Sequence, residues 1–200
     1  MHKGRQGPAR DSVEGAINWP GTLLAGRPQR REDVVYRLRS RSPHELWLVI
    51  VDASASTRRH QALRDAKGLL AQVFDDAYRQ RARMALLTVS GQSPQWHVQG
   101  LKAAKGLASW LEGLGAGGGT PLLGALAEAG HWLRGRRKRY PAERQRLLVV
   151  TDGRLKDISG LPDLDCPGLL VDIERGPIRL GRGQVLAAGL GVDYRHIDTL

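Results

Sequence analysis

The stretch "LVIVDASAST", residues 48–57, decides how the rest of the chain is read. Four apolar residues stop abruptly at Asp52, and Ser54 and Ser56 follow at intervals of two. Together with the preceding "ELW", residues 45–51 form a short continuous apolar run, which is the pattern of a central strand covered on both faces. Such a strand delivers Asp52, Ser54 and Ser56 to its carboxyl end as three oxygen-bearing side chains that leave the sheet close together.

Outward from this strand, apolar runs alternate with helical stripes. Leu63, Ala66, Leu70, Val73, Phe74 and Ala77 recur at helical spacing, and "ARMALLTV" (82–89) reads as a second strand. After the turn "SGQSP", "PQWHVQ" (94–99) reads as a third strand, followed by a helix over "KAAKGLASWLEGL" (102–114). Behind the glycine run, Leu122, Leu126, Ala129 and Leu133 mark another helix, with Thr120 expected as its N-cap and Pro121 in its first position. "RLLVVTD" (146–152) is a fourth strand that also ends in an aspartate, and "GLLVDIE" (168–174) is a fifth. A short helix (183–191) and a last strand (192–198) complete the series. The alternation predicts an α/β fold of three layers, a mostly parallel sheet of about six strands with helices on both faces. Residues 1–44 are expected to be a basic amino-terminal arm and residues 45–200 the domain proper.

In open parallel sheets a crevice forms beyond the carboxyl ends of the strands, where the strand order reverses. Under the order 3-2-1-4-5-6, Asp52 and Asp152 both flank that point. Two carboxylates in one crevice repel unless a cation lies between them. Asp52, Ser54 and Ser56, with Thr120 of "GAGGGTPL" and Asp152, make a donor set of hard oxygens suited to Mg²⁺, with Mn²⁺ as the alternative. Taken singly each residue has a plainer role: a serine or threonine caps a helix and an aspartate bonds loop amides. The conjunction of all five brings the metal reading level with those plainer roles.

Composition narrows the remainder. The lone Cys166 forms no internal disulfide, no Cys/His cluster has zinc spacing, and no apolar stretch reaches membrane-spanning length. The start "MHKGRQGPARDS" lacks the apolar core of a secretory signal, so a soluble, cytoplasmic protein with no membrane contact is expected. The net charge of +11 is concentrated in two places, +5 in residues 1–44 and +6 in residues 134–146, "RGRRKRYPAERQR". Within the second, Arg136, Arg137 and Lys138 are candidate partner-binding residues.

"DASAS", "GGGTPL" and "TDGR", in this order and at these separations, resemble the metal-ion-dependent adhesion site of a von Willebrand factor A domain. The likeness extends over about residues 19–200 to the carboxy-terminal domain of the D-type chain of magnesium chelatase and its cobalt-chelatase relatives. "VDIERGPIRLGRGQVLAAGLGVDYRHID" is similar to the last strand, helix and strand there. This resemblance implies that Asp52, Ser54, Ser56, Thr120 and Asp152 are the metal-site residues. Ala55 and Thr57 stand where the family usually has glycine and methionine. The D-type chain also carries an AAA+-like module ahead of this domain, which these 200 residues do not contain.

The resemblance further implies a non-catalytic, Mg-binding interaction subunit of an AAA+-driven metal chelatase of tetrapyrrole or cobalamin synthesis. Its partners would be the AAA+ ATPase subunit and the large tetrapyrrole-binding subunit, with the bound ion as a bridge and not the ion inserted. An AAA+ ATPase outside tetrapyrrole synthesis is the alternative partner. A carboxylate from the ATPase would complete the metal shell, and the basic segments 27–41 and 134–146 would add long-range attraction to an acidic rim around it. No GxxxxGK[ST] occurs, so no ATP turnover by a P-loop is expected. Haloacid-dehalogenase-like phosphotransfer needs a second aspartate where Ser54 stands, and a Ser54 nucleophile lacks the GxSxG elbow. Nucleic-acid binding has its clustered cations, but the aromatic residues fall mainly on apolar-periodic segments, which argues against it.

Overall fold

The computed structural model of the chain describes residues 6–12, 16–41, 44–54, 62–103, 107–115, 121–155, 158–175 and 180–200. It divides into two units, Met1–His44 and Glu45–Leu200. The first contains strands β1 (Gln6–Ser12), β2 (Ala16–Ile17) and β3 (Tyr36–Arg41) in an antiparallel sheet of order β1-β3-β2, with helix α1 (Trp19–Ala25) between β2 and β3. Asn18 caps α1 by accepting from the Gly21 amide at 3.1 Å. Thr22, fully buried, anchors the helix to the return strand, its hydroxyl accepting from the Val35 amide at 3.0 Å.

The second unit is built on β4 (Glu45–Asp52), β5 (Arg83–Ser90), β6 (Ser93–Lys102), β7 (Arg144–Thr151), β8 (Gly168–Asp172) and β9 (Asp193–His196). Their order is β6-β5-β4-β7-β8-β9, so the strand order reverses between β4 and β7 as the sequence predicts. All pairs are parallel except β5–β6, a tight hairpin whose turn residue Gly91 has φ +73°, a conformation that glycine adopts without a Cβ clash. The apolar run of β4 serves both faces of the sheet. Leu46, Leu48 and Ile50 pack on one side with helices α4 (Leu122–Arg139) and α5 (Arg182–Leu190). Val49 and Val51 pack on the other with α2 (Ala62–Arg79) and α3 (Leu107–Gly113). Ala66, Leu70, Phe74 and Ala77 carry the buried stripe of α2.

Several boundaries differ from the sequence expectation. Helix α4 begins at Leu122 with Pro121 at the capping position, its carbonyl accepting from the Ala125 amide at 3.0 Å. Thr120 lies outside the described residues. Strand β6 runs on to Lys102, past the expected end at 99, because a register shift around Gly100 (φ +69°) absorbs an extra residue and lets the ladder continue. Strand β7 starts two residues early at Arg144, whose polar neighbours hide the strand from an apolar-run reading. The last strand is shorter than expected and passes into a 3₁₀ turn at Ile197–Thr199.

Candidate metal centre

Parallel pairing of β4 with β7, with Val51 opposite Val150, carries the chain into Asp52 on one strand and Thr151–Asp152 on the next. Both carboxylates are buried, Asp52 completely and Asp152 to within 4%. Asp52 is held from two directions. Its Oδ1 accepts from the Ser54 amide at 3.0 Å, and its Oδ2 accepts from the Thr151 hydroxyl at 2.8 Å. That hydroxyl in turn accepts from the Gly153 amide at 3.0 Å, so Thr151 orients Asp52 with both its donor and an acceptor position in use. Asp152 folds back in the same way, accepting from the Arg154 amide at 3.2 Å.

The loop after β7 is fixed by a close approach. Gly153 has φ +65°, and a Cβ there would lie 2.6 Å from the Gly183 amide nitrogen in the first turn of α5. Arg182 at the start of the same helix donates to the Leu155 carbonyl. The strand-end aspartate therefore rests on a loop clamped against a helix.

The electrostatics of this end are unfavourable without a cation. Burial pushes the Asp52 carboxyl above its ordinary value. Hydrogen bonds from the Ser54 hydroxyl and amide and from the Thr151 hydroxyl pull it back, while the negative charge of Asp152 adds to the rise. The cationic group beside Asp152 is Arg154, whose Nε is 4.0 Å from Oδ2, too long for a hydrogen bond. Arg154 leans instead toward Glu174, with Nε 3.5 Å from Oε1. Among the described residues neither of those atoms has a hydrogen-bond partner, although Glu174 is only 2% exposed and its Oε2 accepts from the Leu180 amide at 2.9 Å.

Of the five expected metal-site residues, the structure brings Asp52, Ser54 and Asp152 to one strand-end crevice, all buried. Ser56 and Thr120 lie outside the described residues. Among the described residues no group of three or more His, Cys, Asp or Glu side chains is arranged to hold a metal, so a cation here would rest on two carboxylates plus hydroxyls. Two buried, like-charged carboxylates beside a serine hydroxyl fit a hard divalent cation, Mg²⁺ or Mn²⁺, by charge and by donor type.

Three neighbours escaped sequence reading: Thr151, Arg154 and Glu174. A usable signal existed for the last, since "VD" at 171–172 ends β8 just as "VD" at 51–52 ends β4. Asp172 accepts from the Glu174 amide at 2.8 Å and from the Tyr194 hydroxyl at 2.9 Å.

A model of the von Willebrand factor type A domain matches residues 47–154, more than half of the chain, with Asp52 near one end of the match and Asp152 near the other. The chain belongs to the von Willebrand factor type A family. Among curated relatives, the magnesium-chelatase 67 kDa subunit of Chlorobaculum tepidum is 31% identical over 145 residues, 72% of this chain and 22% of that protein. The magnesium-chelatase 60 kDa subunit of Rhodobacter capsulatus is 28% identical over 151 residues, 72% of this chain and 26% of that one. An uncharacterized protein of Mycobacterium tuberculosis is 26% identical over 180 residues, 84% of this chain and 29% of its own. The chain thus spans less than a third of the curated relatives it matches. Of solved structures, a von Willebrand factor type A protein from Catenulispora acidiphila aligns with TM-score 0.56 at 17% identity over 81% of this chain and 40% of that one. Manganese-loaded TRAP protein of Plasmodium vivax aligns with TM-score 0.61 at 15% identity over 79% and 70%. These two likenesses show the fold of the von Willebrand factor type A domain.

The basic candidates lie elsewhere in this domain. Arg136 makes a two-pronged pair with Glu143, Nε to Oε2 at 2.6 Å and Nη2 to Oε1 at 2.9 Å, beneath the rings of Trp132 and Tyr140. Arg137 pairs with Asp165 and donates to the side chain of Gln145 at 3.1 Å. Both guanidiniums are committed within the fold, and Lys138 is exposed. All three stand at the carboxyl end of α4, beside the first residue of β7, whereas the aspartates lie at the far end of the sheet, where β7 finishes. Seven residue steps along β7 separate the two ends by about 23 Å. At physiological salt that is more than two screening lengths, so the basic loop does not rim the metal centre.

Proposed function

We propose that this von Willebrand factor A domain is a non-catalytic, Mg²⁺-binding interaction subunit of an AAA+-driven metal chelatase, working in the cytoplasm. The observation that carries the reading is the convergence of Asp52 and Asp152, buried, like-charged and braced by Ser54 and Thr151, at the strand-order reversal. Similarity to magnesium-chelatase subunits supports the assignment to that class of assembly. Asp52, Ser54, Ser56, Thr120 and Asp152 would hold the cation. When bound, the ion supplies a Lewis-acidic position for a partner's carboxylate. The chain's own contribution is orientation: Thr151 and the Ser54 amide fix the Asp52 carboxylate, and the clamp of Gly153 on α5 fixes Asp152.

In this reading the chain does no chemistry on the tetrapyrrole. It links the ATPase subunit to the large ring-holding subunit, and the metal it binds is resident, not cargo. The alternative reading is a partner ATPase outside tetrapyrrole synthesis.

The test is a pull-down with tagged protein in Mg²⁺ and in EDTA. Mg²⁺-dependent recovery of an AAA+ ATPase together with a very large chelatase subunit supports the first reading. Recovery of a different AAA+ protein alone supports the second. Equal recovery in EDTA, or by Asp52→Ala, refutes a metal bridge in either.

A further inference from the structure

The second unit is polarised along its strands. At the carboxyl ends of the parallel strands stand Asp52, Asp152, Asp172 and Glu174. At the opposite edge the ladder sets cations side by side. Lys102 of β6 pairs in register with Arg83 of β5, Arg83 with Leu46 of β4, and Glu45 of β4 with Arg144 of β7. Adjacent strands lie about 4.8 Å apart, so these residues form one row across four strands. Both long helices also end here, α2 at Arg79 and α4 at Arg139.

Three of the acidic groups at this edge are already paired, while Asp76 near the end of α2 and Asp193 at the start of β9 are exposed. Glu45 pairs with Arg146 at 3.5 Å and accepts from the Trp47 indole at 3.1 Å. Glu143, with a side chain only 3% exposed, is closed under Arg136, and Asp165 is held by Arg137. By contrast Arg81, Lys102, Lys138, Arg139 and Arg144 are exposed, and none of them has an ion-pair partner among the described residues. Five like charges on one rim repel one another, and an anionic partner relieves that repulsion.

We propose that this rim is a second interaction surface, separate from the metal centre, that docks an acidic polypeptide segment. Two features select a polypeptide over a single-stranded nucleic acid. The aromatic rings of the α4 end are engaged by neighbours: Tyr140 has Arg136 at 4.7 Å and Arg139 at 5.7 Å from its ring, and Trp132 packs on Trp96 at 5.2 Å and on Arg136 at 5.3 Å. The cations also follow a sheet edge and two helix ends instead of lining a groove that tracks a phosphate backbone. With the metal centre about 23 Å away at the other end of β7, one domain engages two partners at once.

The experiment is fluorescence anisotropy with a fluorescein-labelled peptide of about ten alternating Asp and Glu residues, at about 50 and 150 mM NaCl. The reversal Lys102→Glu/Lys138→Glu/Arg144→Glu is expected to weaken binding by at least about tenfold, and the same three changed to Gln by a smaller factor. Because these side chains make no ion pair among the described residues, Mg²⁺ affinity in both triple variants is expected to match wild type, which also reports that they are folded. Peptide affinity is expected to be the same in EDTA and in Asp52→Ala, so failure of the metal bridge leaves this result intact. The proposal is overturned if both triple variants bind the peptide as wild type does, or if binding needs Mg²⁺. It is equally overturned if a DNA oligonucleotide of equal charge binds more tightly than the peptide at the higher salt.

Discussion

Replacing Asp52 by Asn separates the two roles that its burial imposes. In the metal-free protein an ionised Asp52 sits fully buried beside Asp152, and its carboxyl is raised above the ordinary value near 3.8. The folded state therefore holds the proton more tightly than the unfolded chain does. Below the unfolded value this group leaves stability intact; as pH rises from there through the folded value stability falls, and above it the loss is complete. Asp52→Asn removes that slope. Relative to wild type, the metal-free variant is thus expected to gain stability as pH rises from the ordinary value near 3.8 through the raised folded value, and to hold the gain above it. Mg²⁺ reverses the ranking. At a free concentration of about 100 times its dissociation constant, a ligand that binds only the folded state stabilises by about 2.7 kcal/mol. For a domain of this size that corresponds to a rise in Tm of about 5–11 °C in wild type. The variant lacks the charge that holds the ion and is expected to show no rise. Differential scanning calorimetry at pH 3.5, below the unfolded value, and at pH 7.5, with EDTA or with MgCl₂, reads all four states. An equal Mg²⁺-dependent rise in Asp52→Asn refutes the metal assignment, and a variant-to-wild-type difference that ignores pH refutes the electrostatic argument.

Glu174→Gln is expected to release Arg154 from its 3.5 Å contact toward Asp152 and to weaken Mg²⁺ binding by about three- to tenfold by calorimetry; unchanged affinity means that Arg154 does not compete for Asp152. Gly153→Ala combines a left-handed φ with a 2.6 Å approach to the Gly183 amide, and a loss of about 2–4 kcal/mol in urea unfolding is expected. Arg136→Ala leaves the buried Glu143 carboxylate without its two hydrogen bonds and with the 3.9 Å contact from Arg83 as its remaining ion pair among the described residues, at an expected cost of about 3 kcal/mol, whereas Lys138→Ala is expected to stay within about 0.5 kcal/mol of wild type. Cys166 is buried with its thiol pushed up to about 11, so a thiol reagent at pH 8 is expected to label it only as the protein unfolds in urea.

What the sequence makes legible here follows from how much of each signal is local. The apolar run of β4 and the stripe of Ala66, Leu70, Phe74 and Ala77 are local patterns, and the sheet built from them has the expected reversal. Asp52 and Asp152 are legible for the same reason, since each closes an apolar run. Strand β3, "YRLRSR", alternates Tyr36, Leu38 and Ser40 with three arginines, a period-two pattern that its polar composition conceals from a search for apolar runs. Thr151 is concealed differently: its role depends on which strand lies alongside, and only the β4–β7 pairing makes it a donor to Asp52. Glu174 and Arg154 are farther still from view, because their contact joins the ends of neighbouring strands through long side chains.

The position of the basic segment shows why a charge count needs a topology. Residues 134–146 lie close in sequence to Asp152, and a reader of the linear chain places them near the metal. A strand converts a few residues of sequence into a large distance along one line, and β7 alone carries the chain from the basic edge to the acidic one. In a parallel sheet every strand repeats that conversion in the same direction. Arg83 and Arg144 at strand starts and Asp52 and Asp172 at strand ends therefore add instead of cancelling, against Glu45 and Asp193 at the starts of β4 and β9. The buried pole needs a cation to offset like charges in a low-dielectric crevice, while the exposed one needs only an anion within a screening length. The two demands differ in kind, one metal-dependent and insensitive to salt, the other salt-dependent and indifferent to metal, and this difference is what lets EDTA and NaCl address each pole alone.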